Sequence, residues 1–165
     1  MKYQIKLKNH INLFASYTKP AKIEEIRFVE RTLGISIPVS LKEFFLLVGN
    51  DYDYLWGGGG ADKLNLVTNY REISKKILKD CSVVFNREYF VFSRYSDDQF
   101  MFVYLDDGDD PSVYRFETEL FYCGDDYVSG SSSWGFPRGV IKISDSFSAM
   151  INKLVENELN NEKSI

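Results

Sequence analysis

The order of hydrophobic patterns along the 165 residues predicts an α+β domain, in which N-terminal helices and a C-terminal helix pack on a largely antiparallel mixed sheet. Three observations carry that expectation. Apolar residues recur at helical spacing between residues 20 and 48 and again after residue 145. Residues 89–143 between them hold short aromatic and β-branched runs separated by turn residues. No internal repeat and no linker rich in Pro, Gly or Ser divides the chain, and its length suits one ordinary domain, with a core over about residues 20–158.

The first strong helix is expected over residues 20–33. Pro20 suits the first helical position, Ile23, Ile26, Val29 or Glu30, and Leu33 share a face, and Gly34 supplies a left-handed stop. Residues 35–37 form a short extended bridge. Pro38 then opens a second helix with a broad apolar face of Leu41, Phe44, Phe45 and Val48, ended by Gly49 and Asn50. Two helices joined so tightly must cross steeply and share one core. Residues 51–62 read as a loop with four consecutive glycines, residues 64–67 as a short strand, and residues 70–79 as a third helix. Its Ile73, Ile77 and Leu78 point inward and its Lys75, Lys76 and Lys79 outward.

The second half reads as sheet. Residues 89–92 form one strand. The unbroken apolar run 100–105 is a central strand buried on both faces, after a hairpin turn at Ser96, Asp97 and Asp98. Residues 113–116 and 140–143 are two more strands, with irregular chain over 120–137. Asp145 or Ser146 caps a last helix carrying Phe147, Met150, Ile151, Leu154 and Val155, and residues 160–165 fray.

Composition excludes several function classes. No apolar run reaches the ~20 residues of a membrane-spanning helix, and the start of the chain, alternating Lys with apolar residues, lacks the apolar stretch of a signal peptide. The two cysteines, Cys81 and Cys123, make neither a zinc pattern nor a disulfide framework, which points to a reducing cytoplasm. The net charge of −4 hides an asymmetry: residues 97–126 carry ten acids against one base, Arg115, while the remainder has fourteen acids and nineteen bases. Asp106, Asp107, Asp109 and Asp110 cannot be buried unpaired. They form either a solvated loop or a docking face for a basic partner. Such a surface repels phosphates, so direct nucleic-acid binding is disfavoured.

No catalytic set is expected. His10 is the single histidine and precedes the first helix, so it reads as an ordinary surface residue. Residues 130–135 lack the second glycine of a nucleophile elbow. Gly57, Gly58, Gly59 and Gly60 are followed by no Gly-Lys-Ser/Thr, and the Asp-rich stretch before Pro111 fails calcium-loop spacing. Neither a metal nor a cofactor is therefore assigned. Fifteen of the 26 aromatics fall between Phe85 and Phe136 and serve mainly as sheet core. Tyr52, Tyr54, Trp56, Tyr122, Tyr127 and Trp134 lie instead among Asp and Gly, a setting typical of protein-binding anchors, unless they fold back over the core.

The block Ile23-Glu24-Glu25, then Glu30-Arg31-Thr32-Leu33-Gly34-Ile35-Ser36-Ile37-Pro38, then Leu41, Phe44-Phe45 and Val48-Gly49-Asn50, resembles the opening of the SUKH superfamily, the Smi/Knr type of domain. The strands that follow and the helix from Phe147 match that family in order, so the resemblance runs from about Ile23 to Val155. The chain departs from the pattern in loops: Gly49-Asn50-Asp51 replaces Asn-Gly-Gly, Ser96-Asp97-Asp98 replaces a Gly-rich turn, and an insert spans residues 118–138. The resemblance implies a non-enzymatic domain whose variable loops meet a protein partner. Bacterial members are mostly immunity proteins that neutralise delivered toxins, often nucleases, and fungal relatives regulate cell-wall synthesis through protein contacts. No catalytic residues carry over.

Joined to the charge pattern, this predicts a partner-binding face in which Asp53, Asp106, Asp107, Asp109, Asp110, Asp125 and Asp126 supply charge. Tyr52, Tyr54, Trp56, Tyr127 and Trp134 supply anchors, and the partner is a basic toxin domain. A regulatory module with a partner from the same cell is the main alternative. A small hydrolase or sugar-binding protein using loop carboxylates is a third reading, and exposed aromatics would also be consistent with a homodimer.

Overall fold

The computed structural model describes residues 1–16, 18–52, 55, 63–95, 97–119 and 137–162. It is an α+β fold with a four-stranded antiparallel sheet in chain order. The chain opens with a short helix that the sequence pattern did not signal, α1 (Ile5–Asn9), and a 3-10 turn (Ile11–Phe14); Leu7 and Phe14 are buried. One carboxylate ties down the start of this segment. Glu43, itself buried, accepts the backbone N–H groups of Lys2 (2.5 Å), Tyr3 (2.7 Å) and Gln4 (2.9 Å).

Helix α2 (Ile23–Leu33) starts three residues later than Pro20 suggested. Residues 19–21 are extended, because backbone bonds tie them to the end of the next helix: Ala21 donates to the Phe45 carbonyl (2.9 Å) and Asn50 to that of Lys19 (2.8 Å). The helix begins only where the Glu25 carboxylate accepts the Lys22 N–H (2.6 Å), capping the first turn. Ile26 and Val29 face the core, and Gly34 ends the helix at φ +67°. Helix α3 (Val39–Val48) follows Pro38 as expected, and Leu41, Phe44, Phe45 and Val48 are fully buried. At Gly49 a Cβ would sit 2.6 Å from the Phe45 carbonyl and 2.9 Å from Ala21 Cβ, so glycine permits the close approach of residues 19–21.

The strand expected over residues 64–67 is a 3-10 turn (Leu64–Leu66) running directly into α4 (Val67–Asp80). Four apolar-rich residues cannot distinguish a strand from a helical turn by periodicity. Among the described residues no strand pairs with this segment, and the Leu64 N–H instead reaches the Gly49 carbonyl at 2.7 Å. Val67, Tyr70, Ser74, Ile77 and Leu78 bury one face, while Lys75, Lys76 and Lys79 stay exposed. After Cys81, Ser82 adopts φ +55°, which lets the N–H groups of Ser82 and Val83 bond the Lys79 and Leu78 carbonyls.

Strands β1 (Tyr89–Tyr95), β2 (Gln99–Tyr104), β3 (Val113–Glu117) and β4 (Val140–Ser144) each pair with the next. Tyr95 faces Gln99 across the expected hairpin, and Val103 faces Val113 across the Asp-rich connection. Strand β2 is buried on both faces, as its apolar run predicts. On one side Phe90 meets Phe45 (6.3 Å between ring centroids), and Phe92 and Phe44 each meet Phe147 at 5.3 Å. On the other, Phe100 stacks on Phe116 (5.3 Å), Phe102 on Tyr114 (5.5 Å), and Phe85 lies 4.9 Å from Phe102. Such aromatic pairs add about 0.5–1.5 kcal/mol each beyond area burial.

Helix α5 (Phe147–Glu162) seats Phe147, Ile151 and Val155 in the core and runs through the residues expected to fray, as far as Glu162. Ser146, one of the two expected caps, accepts the Ala149 N–H (3.1 Å). Asp145 does not cap; it pairs with Lys142 (2.7 Å). Among the described residues no helix is long and apolar enough to cross a membrane.

Two stability measurements test these devices. Burial raises the Glu43 pKa, but the backbone donors of Lys2, Gln4 and Tyr3 outweigh it, so the carboxyl titrates below the usual glutamate range. The unfolded chain therefore binds more protons between the two values. The stability Glu43 contributes is complete above the unfolded pKa and is lost as pH falls through the folded one. Glu43→Ala should cost about 3 kcal/mol in urea melts at pH 7, and its deficit should shrink at acid pH; a pH-independent deficit would contradict this account. Ser82→Gly should stabilise the fold by about 0.5–1 kcal/mol, read as a higher urea midpoint at unchanged slope, because glycine tolerates the left-handed backbone.

Candidate functional site: the acidic β2–β3 loop

The connection between β2 and β3, residues 105–112, holds the acidic run and is built rather than slack. The Leu105 N–H donates to the Glu88 carbonyl (3.0 Å), Gly108 turns the chain at φ +87°, and Pro111 is buried. The Ser40 N–H at the start of α3 donates to the Asp109 carbonyl (2.9 Å). Ser112 Oγ donates to the Asp145 carbonyl (3.0 Å). The loop is thus moored to β1, α3 and the β4–α5 junction.

Its four aspartates play different parts. Asp110 is structural: its Oδ1 accepts the Ser148 N–H (2.9 Å) and its Oδ2 the Ser148 hydroxyl (2.5 Å), so it caps α5 from across the fold. Asp106 and Asp107 share Arg87. The guanidinium Nε lies 3.0 Å from both Asp106 oxygens, Nη2 lies 2.5 Å from Oδ1, and Nη2 also bonds Asp107. The same guanidinium sits 4.1 Å above the Tyr104 ring. Hydrogen bonding to Asp106 pushes the Arg87 pKa up, Arg87 holds the Asp106 carboxyl below its ordinary value, and burial raises the Tyr104 phenol to about 12. Asp106 nevertheless keeps 62% of its side chain exposed, and Asp109 is exposed. Asp107 and Asp110 are half-buried.

The sequence grouped these four carboxylates as one solvated or docking set, and the structure divides them. Asp106 and Asp109 face solvent, Asp107 is partly withdrawn, and Asp110 is spent on the helix cap. Tyr52 departs from its assignment as a loop anchor. It is fully buried, its ring packs on Phe44 (5.5 Å), and its hydroxyl donates to the Phe92 carbonyl (2.6 Å). A tyrosine next to a Gly-rich loop is equally suited to closing the core when a β-strand carbonyl takes its hydroxyl. Asp53, Tyr54, Trp56, Tyr122, Asp125, Asp126, Tyr127 and Trp134 lie outside the described residues, as do the four-glycine run and residues 130–135.

Two residues were missed. Arg87 sits outside the acidic window, yet the hairpin register signals it: with Tyr89 opposite Tyr104, residue 87 falls opposite residue 106. Phe28 is 59% exposed on the outer side of α2 and lines a groove of about 410 Å³ with Glu24, Arg31 and Leu64. The helical spacing of Ile26 and Val29 had accounted for the apolar face of α2 and left Phe28 without a role. A single exposed phenylalanine on a rigid helix, near the point where the chain re-enters at Leu64, is the kind of ring that serves as an interface anchor.

The described residues hold no cluster of three or more His, Cys, Asp or Glu arranged for a metal ion. His10 lines a shallow polar groove with Lys2, Lys6 and Asn152. The arrangement at the β2–β3 loop can present fixed negative charge to a cationic surface.

Neither the curated proteins nor the solved structures returned a match. A family model does match, over residues 20–153, from the extended segment before α2 into α5. That span takes in α2, α3, α4 and all four strands, well over half of the chain. The chain belongs to the SMI1 / KNR4 family (SUKH-1).

Proposed function

We propose that this protein is a non-enzymatic immunity protein. It binds a toxin domain with a basic cleft, a nuclease in the best-fitting case, and occludes that cleft with its acidic loop. The observation that carries this reading is the mooring of residues 105–112: Asp106 and Asp109 are held at the surface by contacts to α3, α5 and Arg87 before any partner arrives. Carboxylates fixed in advance lose little freedom on binding. They also steer a cationic partner during encounter, so association is fast and salt-sensitive. Membership in a family whose resemblance implies immunity and regulatory roles supports the same conclusion. Asp125, Asp126, Tyr127, Trp134, Asp53, Tyr54 and Trp56 belong to this proposed face.

The test is a pull-down from the source cells with this protein as bait, at low and high salt, followed by kinetics on the captured partner. A multidomain toxin released by salt is expected. The Asp106/Asp109/Asp125 triple alanine variant should bind it more slowly, and loss of a buried charged contact should cost about 2–5 kcal/mol of affinity. Asp110→Ala should lower stability by about 1 kcal/mol through the lost cap while leaving the association rate close to wild type. Unchanged affinity and rate in the triple variant would remove the acidic loop from the interface, and a housekeeping partner from the same cell would replace immunity with regulation.

A further inference from the structure

A second surface, distinct from the acidic loop, lies where the last turns of α4 meet the segment leading into β1. It is a groove of about 510 Å³. Leu78, Val84, Phe85 and Tyr89 supply apolar lining, and Lys75 and Lys79 supply the only charges among the described lining residues. Val84 is 74% exposed, more than any other large hydrophobic residue of the described core and surface. The floor is rigid: Phe85 packs edge-on against Tyr89 (5.0 Å), and Tyr89 shares a hydrogen bond with Ser74 of α4 (3.2 Å). The rim is cationic in a chain whose net charge is −4.

We infer that this groove docks an acidic segment of a protein partner, one apolar side chain seated between Val84, Phe85 and Tyr89 with carboxylates on either side meeting Lys75 and Lys79. Charge fixes the class of occupant. A basic partner of the kind proposed for the acidic loop would meet two lysines, with no carboxylate among the described lining residues. Lys75 does pair with Glu72 (2.8 Å), but both side chains are more than half exposed. Such a pair is worth little and exchanges readily for an incoming carboxylate. Lysines in the last turns of α4 also complement the negative end of the helix. That role calls for no apolar floor beside them, whereas Val84 leaves its side chain to solvent in the same groove.

The probe is a capped peptide with one central Phe flanked on each side by three Glu, titrated into the 15N-labelled full chain and followed by amide shifts. Saturable shifts confined to residues 75–89 are expected. Replacing the peptide's Phe by Gly, or using the Lys75→Glu/Lys79→Glu variant, should each weaken binding by about 10-fold or more. Both lysines are exposed, so the variant's unperturbed spectrum elsewhere certifies its fold. The Asp106→Lys/Asp109→Lys variant should bind the peptide as wild type does, which separates this surface from the immunity reading. Equal binding of a peptide with Lys in place of Glu, shifts centred outside residues 75–89, no saturation by about 1 mM peptide, or occupation of the groove by a second copy of this chain on concentration alone would each overturn the inference.

Discussion

The Phe147 ring is the contact on which the arrangement of this domain depends. It meets Phe44 of α3 on one side and Phe92 of β1 on another, each at 5.3 Å and nearly perpendicular. Helix α5 is thereby fixed against both the N-terminal helix pair and the sheet. With Phe147 seated, the first N–H groups of α5 occupy one place, and Asp110 reaches across to cap Ser148 there. That cap, with the Ser40 bond to the Asp109 carbonyl, sets the course of the whole acidic loop. The core and the candidate site are therefore mechanically one unit. A cavity at Phe147 would loosen the loop as well as the fold, since large aromatic truncations cost about 3–5 kcal/mol.

The same packing explains how closely spaced carboxylates hold one course in the β2–β3 loop. Four aspartates within five positions repel one another, and an unstructured loop would relieve that repulsion by spreading. Here three of the four have a compensating partner in place. Arg87 bridges Asp106 and Asp107 while its planar face lies on Tyr104, a geometry that guanidinium suits and ammonium does not. Asp110 trades its charge for the helix N-terminus, where negative charge is favoured. What remains outward is less charge than the sequence suggests, but charge in a defined position.

Much of the fold was legible because it is written in periodicity. Leu41, Phe44, Phe45 and Val48 recur at the spacing of one helix face, and the apolar run from Phe100 to Tyr104, bounded by turn residues, reads as a strand buried on both sides. The failures share a cause: each depended on a bond to a distant segment. Pro20 was extended by Phe45 and Asn50, Leu64 was turned into a helical start by Gly49, and the opening helix was held by Glu43, some forty residues away. Local patterns contain none of these partners. For the site, the identity of the charged loop was readable, since unpaired carboxylates must face water. Its division into structural and presented carboxylates was not, because Arg87 and Ser148 reach it only through the folded register. Tyr52 was misjudged for the same reason, its hydroxyl being satisfied by a strand carbonyl that the sequence does not place beside it.

The distribution of charge finally bears on how one small domain could address two partners. An acidic loop moored to α5 and a cationic apolar groove at the end of α4 are separated by the segment 82–88, whose residues serve both: Phe85 floors the groove, and Arg87, two positions on, clamps Asp106 and Asp107. Phe85 and Arg87 are both half-buried and lie two positions apart, so in extended chain they share a side. Opposite charge disfavours a ligand of one surface at the other. The shared segment also means that movement of Phe85 on filling the groove would be felt at Arg87 through Tyr104, which both residues contact. Coupling between the surfaces would thus run through the buried Tyr104 ring.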